Sequence, residues 1–455
     1  MWEAVLIVLG GGAALGFSAL GGRKRLRAWQ DAVVSCGLQV VETSSAWYPW
    51  LKARTGLMEL RISTSGDKRT QIVVKAPWPP ELQWVSIRPE SAVQPAEIEI
   101  GDRRFDGIFF IGGSPNLVFA LLDAETRRLL FHLSLDGKLD ISRGELRLVQ
   151  MSDENVPHAL PLLLDIGRRF AQPMDIPLRL AANAQDPIRG VRLQNLRLLI
   201  REFPDDPATA EALRKACSDP RPEIRLLAAR EVGAEGRGIF LELAESLEDD
   251  AVSAEAVSTL GRELPFERTK TILDRALSRR CVRTARACLE AIGRGGDAAA
   301  VDILAKVLEN EYGELAPTAA WALGAIGSPA AEPPLIAALQ RDQSDLRVVA
   351  ANALGRVGSV AAVLPLKEMA DRLLVGEIRR AARQAIAEIQ SRVQGASPGQ
   401  LSLAGAEAGQ LSLAQADAGQ LSLATDPAGQ LSISGDNPDA APGTAASPGA
   451  DERTS

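Results

Sequence analysis

The sequence predicts an all-α solenoid of helical repeats, preceded by a smaller α+β domain and one N-terminal transmembrane helix and followed by a disordered tail. Three observations carry that reading. Residues 188–389 repeat about every 30 residues as pairs of short amphipathic helices, none of which could bury its apolar face alone. The stretch before them alternates polar and apolar residues between turn signals. The chain's first residues are almost wholly apolar and its last are low in complexity. The resulting division is 1–27 anchor with basic flank, 28–176 α+β domain, 177–392 solenoid and 393–455 tail.

From Ala4 to Gly22 the only polar side chain is Ser18, a length that just crosses a bilayer core of about 30 Å as a helix. Arg23, Lys24, Arg25 and Arg27 follow, whereas a cleaved signal carries its charge in front. The positive-inside rule then predicts a single-pass cell-membrane protein with everything after Arg23 in the cytoplasm. The rival readings are a signal cleaved near Ala19, which would export the chain, and a merely hydrophobic N-terminal helix. Gly12 and Gly16 form a small-xxx-small pattern through which two anchors could pack as a homodimer.

In the next domain, Glu59–Ser63, Gln71–Lys75, Gln83–Ile87 and Glu97–Ile100 read as strands and Gly107–Ile111 as a short buried one. A helix is predicted from Asn116 to about Phe131, a hairpin through Asp136-Gly137, and a helix from about Pro161 to Phe170. The turn Gly101-Asp102-Arg103-Arg104-Phe105-Asp106 precedes a leucine-rich helix containing Leu121-Leu122-Asp123 and Arg127-Arg128. This run resembles a module of unassigned function in bacterial membrane-anchored proteins.

The repeats show best where an apolar residue precedes arginine and an aliphatic lies eight residues after the apolar one: Ile188-Arg189 with Leu196, Ile224-Arg225 with Val232, Leu346-Arg347 with Leu354, and Ile378-Arg379 with Ile386. Eight residues is just over two turns, so the pair shares a stripe. Val232-Gly233, Leu260-Gly261, Leu323-Gly324 and Leu354-Gly355 read as helix ends or close crossings. Second helices follow at Ile239–Leu247, Thr269–Leu277, Ala299–Leu308, Pro333–Leu339 and Ala361–Leu373. Runs such as Ala319-Ala320-Trp321-Ala322-Leu323 suit close helix contact. These features resemble the HEAT-repeat family, specifically the short bacterial HEAT-like repeats also found in phycobilisome lyases. The resemblance implies that each copy's arginine pairs with an aspartate near the preceding turn, here Asp186, Asp219 and Asp345. Val252-Ser253, Leu315-Ala316 and Val282-Arg283 depart from the pattern.

In the tail, Gly399-Gln400-Leu401-Ser402-Leu403-Ala404 recurs with a period of ten. The candidate motif residues are Leu401, Leu403, Leu411, Leu413, Leu421, Leu423, Leu431 and Ile433. Two readings stand: a duplicated flexible spacer, or four copies of a short motif that adds a strand to a partner's sheet edge, with avidity from number.

Chemistry is sparse. The net charge of −7 leaves no broad basic field, so nucleic acid is not expected as a partner. The four cysteines lack CxxC spacing and read as buried hydrophobes. His132 and His158 fall in different elements, and no glycine-rich loop continues into a phosphate-binding motif. Neither a catalytic constellation nor a cofactor or metal site is read. The densest basic run, Arg275, Arg279, Arg280, Arg283 and Arg286, is the candidate contact for an acidic partner segment. The function expected is a membrane-anchored adaptor that binds partner proteins through its solenoid. The alternative, implied only by the repeat resemblance, is a lyase-like enzyme attaching a chromophore or cofactor.

Overall fold

The structure is a computed structural model, and it describes residues 22–44, 48–64, 69–90, 97–372, 376–392, 401–403 and 411–413. The chain is mostly helical, with an antiparallel sheet toward the N-terminus. It divides into two compact units, Met1–Val252 and Ser253–Ser455.

The first unit opens on helix α1, whose described part is residues 22–35. Its apolar positions Leu26, Trp29, Ala32 and Val33 recur at helical spacing and are buried in the core of this unit. Arg25, one of the cluster taken as a topology signal, instead pairs with Asp153 at 2.5 Å. The single-pass cell-membrane placement is therefore corrected: no helix among the described residues is long and apolar enough to cross a membrane. The apolar run before Gly22, with Gly12 and Gly16, lies outside the described residues.

The sheet comprises β1 (Gln39–Ser44), β2 (Trp50–Thr55), β3 (Met58–Thr64), β4 (Thr70–Lys75), β5 (Ser86–Pro89), β6 (Phe109–Gly112), β7 (Lys138–Ser142) and β8 (Glu145–Met151). Its order is β1-β2-β3-β4-β8-β7-β5-β6, with every neighbouring pair antiparallel. Leu51, Ala53, Leu60, Ile62, Ile72 and Val74 alternate inward along β2 to β4. On them lies α5 (Val156–Ala171), where Gly167 lets the helix approach Met58 and Val74 and Trp78 donates its indole N–H to the Gly167 carbonyl at 3.3 Å.

Four expectations shift here. The strand expected at Gln83–Ile87 begins only at Ser86, because Pro80–Trp84 forms a 3-10 turn with Pro80 at its start. Residues 97–100 form no strand, although Ile98 N–H donates to the Ile111 carbonyl at 2.9 Å and flanks β6. The predicted helix is interrupted at Asp123, giving α3 (Pro115–Leu121) and α4 (Ala124–Asp136), because the Asp123 carboxylate caps α4 by accepting the Thr126 N–H at 2.7 Å. The hairpin turn is Arg143-Gly144, both with positive φ (53° and 76°), and not Asp136-Gly137, which joins α4 to β7.

The turn around Gly101 has a structural task at each marked residue. Gly101 (φ 92°) lies so close to Gly190 that a Cβ on either would collide with the other's backbone. Asp102 caps the short helix α2 (Arg103–Asp106) and binds Arg127 at 3.1 Å. Phe105 packs on Phe109 with ring centroids 4.7 Å apart. Asp106 accepts the Ile100 and Gly101 N–H groups, each at 3.1 Å, although burial pushes its carboxyl above the usual range. The turn thus docks the sheet domain onto the first repeat helices of the same unit.

Those helices are α6 (Ile176–Asn183), α7 (Arg189–Glu202), α8 (Pro207–Ala216), α9 (Pro222–Glu231) and α10 (Arg237–Ser246), with α11 (Asp250–Leu260) running past the unit's boundary. The hydrophobic core from Leu26 to Ala228 is continuous through sheet and repeats. The repeat arginine is the fourth residue of its helix, Arg192 in α7 and Arg225 in α9, so Val191-Arg192 and not Ile188-Arg189 is the motif pair. Each reaches back to a carbonyl in the turn before its helix: Arg192 to Asp186 O and Arg225 to Asp219 O, both at 2.9 Å. The carboxylate partner comes from the next repeat, as Arg192 meets Asp219 at 2.7 and 3.0 Å and Arg225 meets Glu248 at 3.4 Å. Arg127, fourth in α4, follows the same rule with Leu122 O (2.8 Å) and both oxygens of Asp186 (3.0 Å). The pair α3–α4 therefore takes the place of a preceding repeat, with α3 packed on α6 and Arg127 of α4 bound to Asp186.

The second unit holds α12 (Phe266–Arg279), α13 (Val282–Gly295), α14 (Val301–Asn310), α15 (Leu315–Ile326), α16 (Glu332–Ala338), α17 (Ser344–Val357), α18 (Val363–Arg372) and α19 (Gly376–Arg392). The odd-numbered helices stack against one another more closely than the even-numbered ones. Gly293, Gly324 and Gly355 sit inside helices at those crossings: a Cβ on Gly293 would stand 2.9 Å from Ala322, one on Gly324 2.6 Å from Ala353, and one on Gly355 3.2 Å from Ala385. Gly233 and Gly261, by contrast, take positive φ after α9 and α11. In the tail, β9 (Leu401–Leu403) and β10 (Leu411–Leu413) pair antiparallel.

Candidate protein-binding surface

A stack whose two layers are unequally spaced bends toward the tighter layer. Within the second unit that layer is α13, α15, α17 and α19, so their outward stripe is the inner face of the curve. The crossing alanines Ala322, Ala353 and Ala385 set the helices in register, and the residue before each points outward: Trp321, Asn352 and Gln384. In α13 the matching position, three before Gly293, is Glu290. Three of the four are polar, and the fourth is this unit's only tryptophan.

Trp321 is half-buried because Gly293 lacks a side chain: a Cβ there would lie 2.9 Å from Trp321 Cζ3. Around it is a groove of about 380 Å³ lined by Glu290, Arg294, Pro317, Thr318, Trp321 and Val349. Its rim is charged and exposed. Arg294 pairs with Glu290 at 2.9 Å, and Arg286 meets Glu314 at 3.1 Å and Glu290 at 3.9 Å. Arg294 and Arg356 each follow a crossing glycine and so occupy corresponding places on α13 and α17, with Ala325 between them on α15. A tryptophan beside Pro317 and Val349, bordered by the Arg294–Glu290 pair, combines the residue types found at protein-interface centres.

The five arginines of the basic run are not gathered on one face. Arg275 is half-buried on α12, Arg279 ends that helix, and Arg280 takes a left-handed conformation after it (φ 58°). Arg283 and Arg286 lie on α13, and Arg286 reaches the groove through Glu290. Of the tail motif residues, Leu401 is opposite Leu413 and Leu403 opposite Leu411, while Leu421, Leu423, Leu431 and Ile433 lie outside the described residues. Trp321 was missed because its alanine-rich run reads as packing; the available signal was an aromatic where the other copies carry Glu, Asn and Gln.

Elsewhere, titratable groups are tied into the fold. His158 Nδ1 lies 2.8 Å from Asp136, and Glu248 and Asp249 serve Arg225 and the first N–H groups of the helix that follows. All four cysteines are free thiols, and burial pushes that of Cys288 up to about 12. No group of three or more His, Cys, Asp or Glu that could hold a metal lies among the described residues.

Comparison with known proteins agrees with this architecture in part. No curated protein matches the chain. Among solved structures, an engineered protein from the Northeast Structural Genomics Consortium is 23% identical over 43% of this chain and 95% of its own, with a TM-score of 0.28. Human deoxyhypusine hydroxylase, solved with glycerol, is 17% identical over 48% of this chain and 96% of its own, with a TM-score of 0.22. None of these supports a phycobilisome-lyase kinship. Residues 306–387, from within α14 to within α19, match the family model for HEAT repeats, and the chain thus carries HEAT repeats.

Proposed function

We propose that this chain is a non-catalytic scaffold that binds partner proteins on the inner face formed by α13, α15, α17 and α19. The observation that carries the reading is Trp321. The repeat does not require an aromatic there, since Glu290, Asn352 and Gln384 fill the matching positions, and the ring costs apolar exposure. Arginines on both flanks suit a partner segment with an apolar anchor and nearby carboxylates. The HEAT repeats support an interaction role in general.

The test is a photo-crosslinking residue placed at Thr318 or Asn352 on this face, and at Lys306 on the outer layer, in cells producing the full chain. The reading expects a reproducible partner crosslinked from the inner positions only, and lost when Trp321→Ala is added. Equal capture from Lys306, or capture indifferent to Trp321, would sink it.

A further inference from the structure

The tail that leaves α19 carries the chemistry this groove lacks a partner for. Each ten-residue copy holds an aliphatic pair two residues apart and then one carboxylate three or four residues on: Leu401, Leu403 and Glu407; Leu411, Leu413 and Asp417; Leu421, Leu423 and Asp426; Leu431, Ile433 and Asp436. From residue 394 onward there are seven acidic residues and one arginine, Arg453. In an extended segment the aliphatic pair shares one face about 6.6 Å apart, and the carboxylate falls roughly 10–14 Å farther along. The groove offers the complement: Pro317, Trp321 and Val349 line it together with Arg294, and Arg356 holds the place on α17 that Arg294 holds on α13. Leu401–Leu403 and Leu411–Leu413 are extended, the backbone that such docking needs.

We propose that one tail copy occupies the Trp321 groove of its own molecule and so competes with outside partners for it. The inference rests on the binding face assigned above. Reach is sufficient: the eight residues 393–400 span up to about 26–29 Å when extended. Helix α15 lies two helix spacings from α19, roughly 16–20 Å. Tethering supplies an effective concentration on the order of 1 mM. A copy that binds with a Kd of about 0.2 mM would then fill the groove about five to one. Arg294 loses little by exchanging Glu290 for a tail carboxylate, because exposed ion pairs contribute little to stability. Four copies hold the groove filled more of the time than one would, while leaving each contact weak enough for a partner to displace.

The experiment uses the full chain with a photo-crosslinking residue at Thr318, prepared as an equal mixture of 14N- and 15N-labelled protein. Its comparison carries serine at all eight positions Leu401, Leu403, Leu411, Leu413, Leu421, Leu423, Leu431 and Ile433, changes that leave the repeats untouched. The expected result is crosslinking to residues 399–436 within single-isotope molecules, with a yield at least about fivefold lower in the serine variant. Mixed-isotope crosslinks, absence of tail crosslinks, or equal yields from the two proteins would overturn the proposal. If tail crosslinks are absent while Trp321→Ala still abolishes partner capture, the tail inference fails alone and the binding face stands.

Discussion

Replacing Arg127 by methionine is expected to destabilise the first unit by about 3–5 kcal/mol, the usual cost of removing one partner from a buried charge cluster. The magnitude follows from what is left behind. Arg127 is 4% exposed and donates to Asp102 at 3.1 Å, to the Leu122 carbonyl at 2.8 Å and to both Asp186 oxygens at 3.0 Å. Methionine restores the packing of the stem but none of the donors. The Asp186 side chain, 2% exposed, keeps the Ile188 N–H at 2.8 Å as its remaining described donor. Adding Asp186→Asn to Arg127→Met should recover part of the loss, because an amide is far cheaper than a carboxylate to hold without a cation. At about 2–4 °C per kcal/mol for a unit of this size, the single change lowers Tm by on the order of 10 °C. Urea unfolding followed by tryptophan fluorescence suits the test in a Trp321→Phe background, where every remaining tryptophan lies in the first unit. A loss below about 1 kcal/mol, or no recovery in the double variant, would refute the claim that this cluster joins sheet and repeats.

Gly324→Val should cost roughly 1–3 kcal/mol by forcing α15 off Ala353, read as a lowered unfolding midpoint; an unchanged midpoint would mean the crossing is not tight. Trp321→Ala should weaken an identified partner by about 30-fold or more in a titration, the scale of a 2 kcal/mol anchor. Cys288, its thiol raised to about 12 by burial, should react with a thiol reagent at pH 8 only as the protein unfolds, and labelling at native rates comparable to Cys281 would contradict its placement. Hydrogen bonding from Lys75, then Arg147, holds the Glu145 carboxyl below its usual 4.5. The folded pKa is depressed, so this contribution is complete above the unfolded value and lost as pH falls through the folded one. Urea midpoints of wild type and Glu145→Gln should therefore differ by a constant amount above about pH 6 and converge below pH 4.5; divergence on acidification would reverse the sign.

The repeats were legible because their signals are local. Second helices and the apolar stripes depend on spacing within one helix, and Ile239–Leu247 lies on α10 (Arg237–Ser246) as its periodicity requires. The arginine's partner was not legible, because it depends on the stacking of successive repeats: Arg192 takes Asp219 from the copy after it, whereas the family resemblance implied an aspartate near the preceding turn. Glycines divided for the same reason. Gly261 and Gly324 each follow a leucine, yet one ends a helix with positive φ and the other is crossed by Ala353, a distinction that only the neighbouring helix makes. Edge strand β1 escaped notice because its residues are exposed on both faces and leave no alternation to read. The candidate run was read from charge density alone, and the fold spreads it over two helices: Arg275 and Arg279 stand on α12, Arg280 follows it, and Arg283 and Arg286 lie on α13.

Residues that recur from copy to copy and residues that stand alone answer different demands on a repeat chain. A repeat chain builds the same helix several times, so any residue class that recurs at one place, such as the fourth-residue arginine in α4, α7, α9, α17 and α19, answers a structural need common to all. A residue that appears once at a place where the others agree on something else answers no such need. Trp321 among Glu290, Asn352 and Gln384 is such a residue, and it lies on the inner face within reach of a tail built from four nearly identical copies. The tail is either a spacer lengthened by duplication or an array of docking copies. Scrambling residues 399–436 at constant composition therefore separates the two: a spacer tolerates the scramble, whereas groove occupancy read by crosslinking from Thr318 should fall as far as it does in the serine variant.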